Sequence, residues 1–228
     1  MDRQELFCKI KGGLIVSCQA LKTEPLYGSY IMSRMAFAAQ EGGAVGIRAN
    51  TPEDILEIKK AVDLPVIGLF KVEYPDSEVY ITPTMKEVDA LMEVHPDVIA
   101  MDATDRPRPG KISLEELFPQ IKDKYPDMLF MADCSCYEDA ERAQRLGFDI
   151  AGTTMRGYTA ATKGIAIPDY ELLHKMTNEL DIPIIAEGGV WEVGQLKRVF
   201  REPVLAAVVG TAITRPRDIT RRFVQAIM

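Results

Sequence analysis

Histidine and tryptophan are scarce in this sequence. Among 228 residues there are two histidines and one tryptophan. His95 precedes a proline and His174 falls within a helical pattern. The chain therefore lacks the histidine cluster on which many zinc and catalytic metal sites depend. We expect its chemistry to proceed without histidine.

Other scarcities exclude further classes of protein. Four cysteines form neither a CxxC pair nor a disulfide framework, which predicts reduced thiols in a cytoplasmic protein. No apolar run reaches the roughly 18 residues of a spanning helix, and the first residues lack the apolar core of a signal peptide. A net charge of −7 argues against nucleic-acid and membrane partners. It does not exclude small anionic substrates, because the field of a site is local.

What the chain does contain is a regular alternation of apolar and amphipathic segments. Eight apolar segments occur, at Leu14–Cys18, Ala44–Ile47, Pro65–Phe70, Asp97–Met101, Met128–Ala132, Asp149–Gly152, Pro183–Ala186 and Val204–Val209. Such nearly continuous runs are typical of parallel strands covered by helices. Because no glycine-rich turn follows the first run, the pattern favours a closed (β/α)8 barrel over an open doubly wound sheet. We predict one barrel domain over residues 1–228, with residues 1–12 forming a short helix that closes its bottom.

Polar residues follow almost every predicted strand. In barrels of this kind the site lies at the carboxyl ends of the strands. The residues at these positions are Gln19, Arg48, Lys71, Asp102, Asp133, Thr153, Glu187 and Gly210. Seven of these eight are polar or charged, so we interpret them as a site for a polar ligand rather than as rim ion pairs.

Glycine turns follow the last two predicted strands. Gly188 and Gly189 follow the seventh strand, and Gly210 and Thr211 follow the eighth. Loops at these two positions form the recurrent phosphate site of the barrel fold, since their exposed N–H groups bind the anion. Either turn alone would be consistent with a simple tight turn, but the two together predict a phosphate group on the ligand.

Lys71 and Glu187 are the candidate proton carriers. Burial lowers the pKa of a lysine from about 10.4 towards the range of a useful base. A lysine and a glutamate on opposite sides of a ligand could remove a proton from carbon and return one. The structural alternative is an ion pair between Lys71 and Glu187 or Asp133. Arg48 would anchor a negative or carbonyl oxygen, and Asp133 would accept bonds from hydroxyls or hold Lys71.

Two loops receive separate interpretations. The loop after the fourth strand carries Arg106, Arg108 and Lys111, which we interpret as solvated rather than ligand-binding. The segment Gly152–Pro168 is long for a loop in a compact barrel, which suggests a lid over the substrate.

Eight motifs follow one another along nearly the whole chain. They are Gly13–Leu21, Gly46–Arg48, Gly68–Lys71, Asp102–Pro109, Ala132–Ser135, Gly152–Thr154, Ala186–Gly189 and Val209–Pro216. Together they resemble the motifs of bacterial N-acylglucosamine-6-phosphate 2-epimerases. That family interconverts N-acetylmannosamine 6-phosphate and N-acetylglucosamine 6-phosphate in sialic-acid breakdown. The resemblance implies a (β/α)8 barrel, no metal or organic cofactor, and a homodimer.

The resemblance also implies residue roles. Lys71 would move the C2 proton, and Glu187 would be its acid/base or carbonyl-polarising partner. The sugar would be held by Gln19, Arg48 and Asp133, and the 6-phosphate by Gly188, Gly189, Gly210, Thr211 and Arg215. Arg215 could equally cap the last helix. Whether one base, two bases or the substrate's own groups carry the proton stays open at this point.

Rival functions are open as well. A Schiff-base aldolase would use Lys71 to form an imine that borohydride traps. A non-catalytic phosphosugar-binding barrel would keep the glycine turns but has no need of both Lys71 and Glu187. A metal-dependent pentose-phosphate epimerase is disfavoured because no histidine ends a predicted strand.

Overall fold

Eight parallel strands close into a barrel, each paired with its neighbours in chain order and the last with the first. The structure, a computed structural model, describes residues 1–228. The strands are β1 (Gly13–Cys18), β2 (Gly46–Asn50), β3 (Val66–Leu69), β4 (Val98–Asp102), β5 (Leu129–Asp133), β6 (Ile150–Gly152), β7 (Ile184–Glu187) and β8 (Ala206–Val209). The predicted (β/α)8 barrel is confirmed.

Helices alternate with the strands and surround them. They are α1 (Arg3–Ile10), α2 (Ser29–Glu41), α3 (Pro52–Ala61), α4 (Met85–Met92), α5 (Leu114–Lys124), α6 (Tyr137–Leu146), α7 (Tyr170–Glu179), α8 (Val193–Val199), α9 (Thr211–Thr214) and α10 (Pro216–Gln225). Several of these helices begin at a capping residue. Ser113 and Glu116, for example, form a capping box at the start of α5. None of these helices is long and apolar enough to cross a lipid bilayer.

Side chains alternate between the barrel interior and the helix layer. The interior cluster includes Ile15, Ile67 and Met131, whereas outward residues such as Ile47 pack under the helices. Leu6 and Ile10 of α1 belong to the interior cluster. Helix α1 therefore lies across the amino ends of the strands, and the opposite end, called the mouth below, is left for the polar side chains.

Several strands extend further than the apolar runs predict. Strand β2 continues to Asn50, because Ala49 and Asn50 keep pairing with Gly68 and Leu69 of β3. Arg48 therefore lies inside β2 rather than after it. Strands β4, β5 and β7 likewise include their terminal carboxylates. The predicted strand ends are too early because an apolar run in the sequence stops at the first charged residue. Backbone pairing between strands continues past it, since it does not depend on side-chain polarity.

Helix α10 differs from the other helices of the barrel wall. None of its residues is buried. Phe223 within it is 73% exposed, and Ile227 just beyond its end is 87% exposed. The apolar side chains of α10 are therefore not covered by other residues of the chain.

Candidate active site

A buried arginine occupies the centre of the mouth. Arg48 reaches from β2 to β5, where Nη1 and Nη2 lie 3.0 and 2.5 Å from the two carboxylate oxygens of Asp133. Its Nη1 also lies 3.0 Å from Glu187 Oε2 on β7. Burial alone would lower the pKa of Arg48, but Asp133 and Glu187 outweigh it and raise the pKa. The guanidinium therefore stays charged and joins three strands.

Two threonines after β6 hold Glu187 in place. Thr154 Oγ lies 2.6 Å from Asp133 Oδ1 and 3.2 Å from Glu187 Oε2, so it bridges the two carboxylates. The Thr153 hydroxyl instead donates to the Glu187 carbonyl at 2.8 Å and accepts from its N–H at 3.0 Å. Thr154 thus faces the mouth and Thr153 supports the backbone, the reverse of what the predicted strand ends indicate.

Lys71 lies at the mouth without a partner. Its backbone N–H donates to Asn50 Oδ1 at 2.8 Å, but its Nζ forms no ion pair or hydrogen bond in the chain. Burial, followed by the charges of Arg48 and Arg215, lowers the pKa of Lys71 to about 8. The ion pair considered as a structural alternative is absent, because Arg48 already binds both carboxylates.

Glu187 shows the opposite shift. Burial, assisted by the charge of Asp133, raises its pKa against the opposing effects of Arg48, Thr154 and Lys71. Because the pKa of Lys71 is lowered and that of Glu187 is raised, a proton moves between them at a smaller cost than between free side chains. Lys71 follows β3 and Glu187 ends β7, and these two strands lie on opposite walls of the barrel.

The two glycine turns lie side by side, because β7 pairs with β8. Gly188 and Gly189 have φ values of +105° and +75°, and a Cβ on Gly189 would come within 2.5 Å of the Ile167 carbonyl carbon. The N–H groups of Gly188, Gly189, Gly210 and Thr211 donate to no acceptor within the chain. Four adjacent free donors suit an anion with several oxygens.

Gln19 and Arg215 complete this side of the mouth. Gln19 is buried, and its Nε2 donates to Ser17 Oγ at 3.0 Å while its Oε1 has no partner. Arg215 lies near enough to Lys71 to lower its pKa. Arg215 occupies the N-cap position of α10 but makes no capping hydrogen bond with its side chain. Its Nη2 instead lies 3.3 Å from Glu24 Oε2.

The arginines after β4 correct one prediction. Arg108 is 1% exposed and donates to the Asp102 carbonyl, and Arg106 Nη2 lies 2.6 Å from Asp102 Oδ2. They are therefore packed rather than solvated. Because Asp102 is held by Arg106 and by Thr104, it is not a free proton carrier. The buried strand-end carboxylate requires a counter-charge, which the sequence places four residues later.

Sequence reasoning missed three polar residues at the mouth. Asn50 holds the Lys71 backbone, and Thr154 bridges the carboxylates. Tyr80 packs against the interior cluster, and burial together with Asp102 and Asp133 raises its pKa to about 12. The period-two alternation counted from each strand would have found Asn50 and Thr154. Tyr80 comes from the loop after β3 and carries no such signal.

The fold and the site define a (β/α)8-barrel protein whose mouth holds an unpaired amine, buried carboxyl groups and two glycine turns with free N–H donors. The sequence profile of the family described as "Putative N-acetylmannosamine-6-phosphate epimerase" matches residues 32–228. The chain belongs to this family, as its motifs predict.

Individual relatives agree. A protein of Clostridioides difficile strain 630, named "Putative N-acetylmannosamine-6-phosphate 2-epimerase", is 53% identical to this chain. The alignment covers 96% of this chain and 97% of the relative. A Caldanaerobacter subterraneus relative of the same name is 49% identical over 99% of this chain and 95% of its own. The solved N-acetylmannosamine-6-phosphate 2-epimerase of Clostridium perfringens superimposes with a TM-score of 0.92 at 47% identity, covering 96% of this chain and 95% of its own.

Proposed function

We propose that this protein interconverts N-acetylmannosamine 6-phosphate and N-acetylglucosamine 6-phosphate by moving the proton at C2, within amino-sugar catabolism and without a cofactor. One observation carries the proposal: the unpaired Lys71 amine and the Glu187 carboxyl stand on opposite walls of one mouth, with pKa values shifted towards each other. Inversion at carbon requires a proton to leave one face and another to reach the opposite face. Membership of the epimerase family supports the assignment.

In the proposed reaction the open-chain sugar presents its C1 aldehyde. The neutral Lys71 amine takes the C2 proton and becomes an ammonium, while the C–H electron pair forms the C1–C2 enolate. Positive charge from Arg48 stabilises the developing charge on O1. Protonated Glu187 then delivers its proton to the other face of C2, leaving a carboxylate. The reverse reaction begins from this ammonium–carboxylate pair.

Substrate binding follows the polarity of the mouth. The 6-phosphate would accept from the free N–H groups of the two glycine turns and from Arg215. Gln19 Oε1, buried without a donor, suits a sugar hydroxyl, because an unsatisfied buried acceptor costs free energy. Arg48 and Asp133 would contact the sugar near C1 and C2. The segment 153–168 remains a proposed lid; its Arg156 is anchored to Asp169 at 2.6 Å.

Proton NMR in D2O tests the function. Incubating N-acetylmannosamine 6-phosphate with the protein should yield N-acetylglucosamine 6-phosphate that carries deuterium at C2. Failure of both epimerisation and C2 exchange would refute the proposal. A borohydride-trapped adduct on Lys71 would instead support the aldolase alternative, and phosphosugar binding without any turnover would support the sensor.

The pH profile should reveal whether two groups share one proton. In the two-base reaction, each direction starts with one transferable proton in total on the Lys71–Glu187 pair. That proton is on Glu187 in one direction and on Lys71 in the other. Because the pKa of Lys71 is about 8, kcat/KM should fall above pH 8 as the pair loses that proton. The kcat/KM should also fall in acid. There Glu187, whose pKa is raised, and Lys71 are both protonated, and no base is left. If kcat/KM instead rises through pH 8 to a plateau, Lys71 acts as the sole base.

We further propose that the protein is a cytoplasmic homodimer. Its four cysteines are free thiols, which suits a reducing compartment. Ile219, Phe223 and Ile227 recur every four residues along α10 and its end, and form an apolar stripe in which Phe223 and Ile227 are exposed and Ile219 is partly exposed. A second copy of the chain is the proposed cover for this stripe.

Replacing Phe223 by glutamate should convert the dimer to a monomer, because a charge in an apolar interface is left desolvated and unpaired. Sedimentation equilibrium would measure the change. Gln225→Glu, on the opposite face of the same helix, is the matched control and should remain dimeric. A monomeric wild-type protein, or a Phe223→Glu variant that stays dimeric, would contradict this interface.

A further inference from the structure

Glu24 binds two arginines that follow the last strand. It belongs to the loop between β1 and α2, and only 9% of its side chain is exposed. Its Oε2 accepts from the Leu21 N–H at 2.8 Å and lies 3.3 Å from Arg215 Nη2. Its Oε1 lies 3.1 Å from Arg217 Nη2. A single fixed carboxylate thus joins the first loop of the barrel to the start of α10.

Arg215 depends on this contact for its orientation. The backbone beside Arg215 is fixed by the buried Thr214, whose hydroxyl donates to the Ser17 carbonyl at 2.8 Å, but Glu24 is the only ion-pair partner of the Arg215 side chain. An arginine side chain is long and loses considerable rotamer entropy when it is held in place. The pairing uses Nη2 alone, so Nε and Nη1 stay available to a ligand. Phosphate oxygens accept strong, charge-assisted hydrogen bonds from free guanidinium N–H groups.

We propose that Glu24 is a positioning residue for substrate binding: it holds Arg215 in the orientation that receives the 6-phosphate of the sugar. This inference rests on the proposed function, because it assigns Arg215 to the phosphate. The Glu24 side chain bonds to Leu21, Arg215 and Arg217, and to neither Lys71 nor Glu187. Its removal should therefore alter binding of the phosphorylated substrate far more than the rate of proton transfer.

Replacing Glu24 by glutamine tests the proposal, since the amide oxygen can still accept from the Leu21 N–H. The KM for N-acetylmannosamine 6-phosphate should rise roughly tenfold, by analogy with the lower end of the loss seen when a group that orients a metal ligand is removed. The kcat should stay within about twofold, because the acid–base pair is untouched. We expect unphosphorylated N-acetylmannosamine to react slowly, and at the same rate in Glu24→Gln as in wild type. In an Arg215→Ala background, Glu24→Gln should have no additional effect, because the two residues act as one unit.

A matched variant separates positioning from tethering of α10. Glu192 pairs with Arg222 of α10 at 2.5 Å and does not contact Arg215. Glu192→Gln should therefore leave the KM unchanged. An equal rise of KM in Glu192→Gln would show that Glu24 acts only by anchoring the helix, and would overturn the proposal. An unchanged or lower KM in Glu24→Gln would overturn it as well.

A binding measurement keeps this inference separate from the proposed function. Calorimetric titration with inorganic phosphate should give an affinity that is roughly tenfold weaker for Glu24→Gln than for wild type. If the protein fails to epimerise but shows this loss, the positioning role stands and the proposed function fails. If epimerisation occurs and phosphate affinity is the same in both proteins, the proposed function stands and the positioning role is overturned.

Discussion

Replacing Lys71 by methionine should lower kcat by roughly 10³-fold, within the range that a positioned acid–base group contributes. The variant keeps the length of the side chain and removes the amine that carries the proton. Deuterium incorporation at C2 by NMR would measure the loss. Phosphate binding should persist, because Lys71 Nζ forms no hydrogen bond or ion pair with the other side chains of the site. Lys197→Met, an exposed change on α8, is the matched control and should retain full activity.

The same variant should be more stable than wild type at pH 7. The folded protein lowers the pKa of Lys71 to about 8, so the unfolded chain binds more protons between that pH and the ordinary pKa of lysine. Protonated Lys71 therefore lowers the free energy of unfolding at neutral pH. This destabilisation becomes smaller as the pH rises above 8. Thermal unfolding of Lys71→Met and wild type at pH 7 and 10 would test this.

The activity prediction has its own contradicting outcome. More than a few per cent residual turnover in Lys71→Met would remove Lys71 from its proposed role.

Arg48→Met should cause the largest loss of stability among these variants, about 3–5 kcal/mol, since it leaves buried carboxylates without their counter-charge. Asp133 is fully buried and Glu187 lies beside it, so the loss of Arg48 places two uncompensated carboxylates in one cavity. For a chain of this size that corresponds to a fall in Tm of about 10 °C. Turnover should also collapse, because the enolate loses its positive partner.

A second substitution distinguishes charge from packing. Combining Arg48→Met with Asp133→Asn removes one of the stranded charges and should recover part of the stability, although not the activity. Lowering the pH should also narrow the stability difference between Arg48→Met and wild type, because Glu187, whose pKa is raised by burial, becomes protonated and needs no counter-charge. Additive losses in the double variant would mean that Arg48 stabilises the barrel through packing rather than through its charge.

Much of this protein can be read from local pattern. Continuous apolar runs predict strands covered by helices, and their number and spacing predict the barrel, because each run needs a helix to cover its outer face. Lys71, Glu187 and the two glycine turns could be proposed as a site because the carboxyl ends of barrel strands meet at one mouth. The family motifs carry the same information, since they are the residues that follow those strands.

Partnerships across the barrel could not be read in this way. Arg48 pairs with Asp133 and Glu187 from strands far apart in the chain, and only closure of the barrel determines which carboxylates it meets. Arg108 is buried rather than solvated for a related reason: its loop folds back on the end of β4. Thr154 rather than Thr153 faces the mouth, because a shift of one residue reverses the direction of a strand side chain.

The sequence by itself determined the order of strands and helices, the polar strand ends and the glycine turns, because these depend on neighbours within a few residues. Tertiary structure decided which charges neutralise one another, which amine is left free, and that α10 stays uncovered. Those outcomes depend on distances between residues remote in the chain, and on burial, which sets the pKa values of Lys71 and Glu187. Neither exists before the barrel closes.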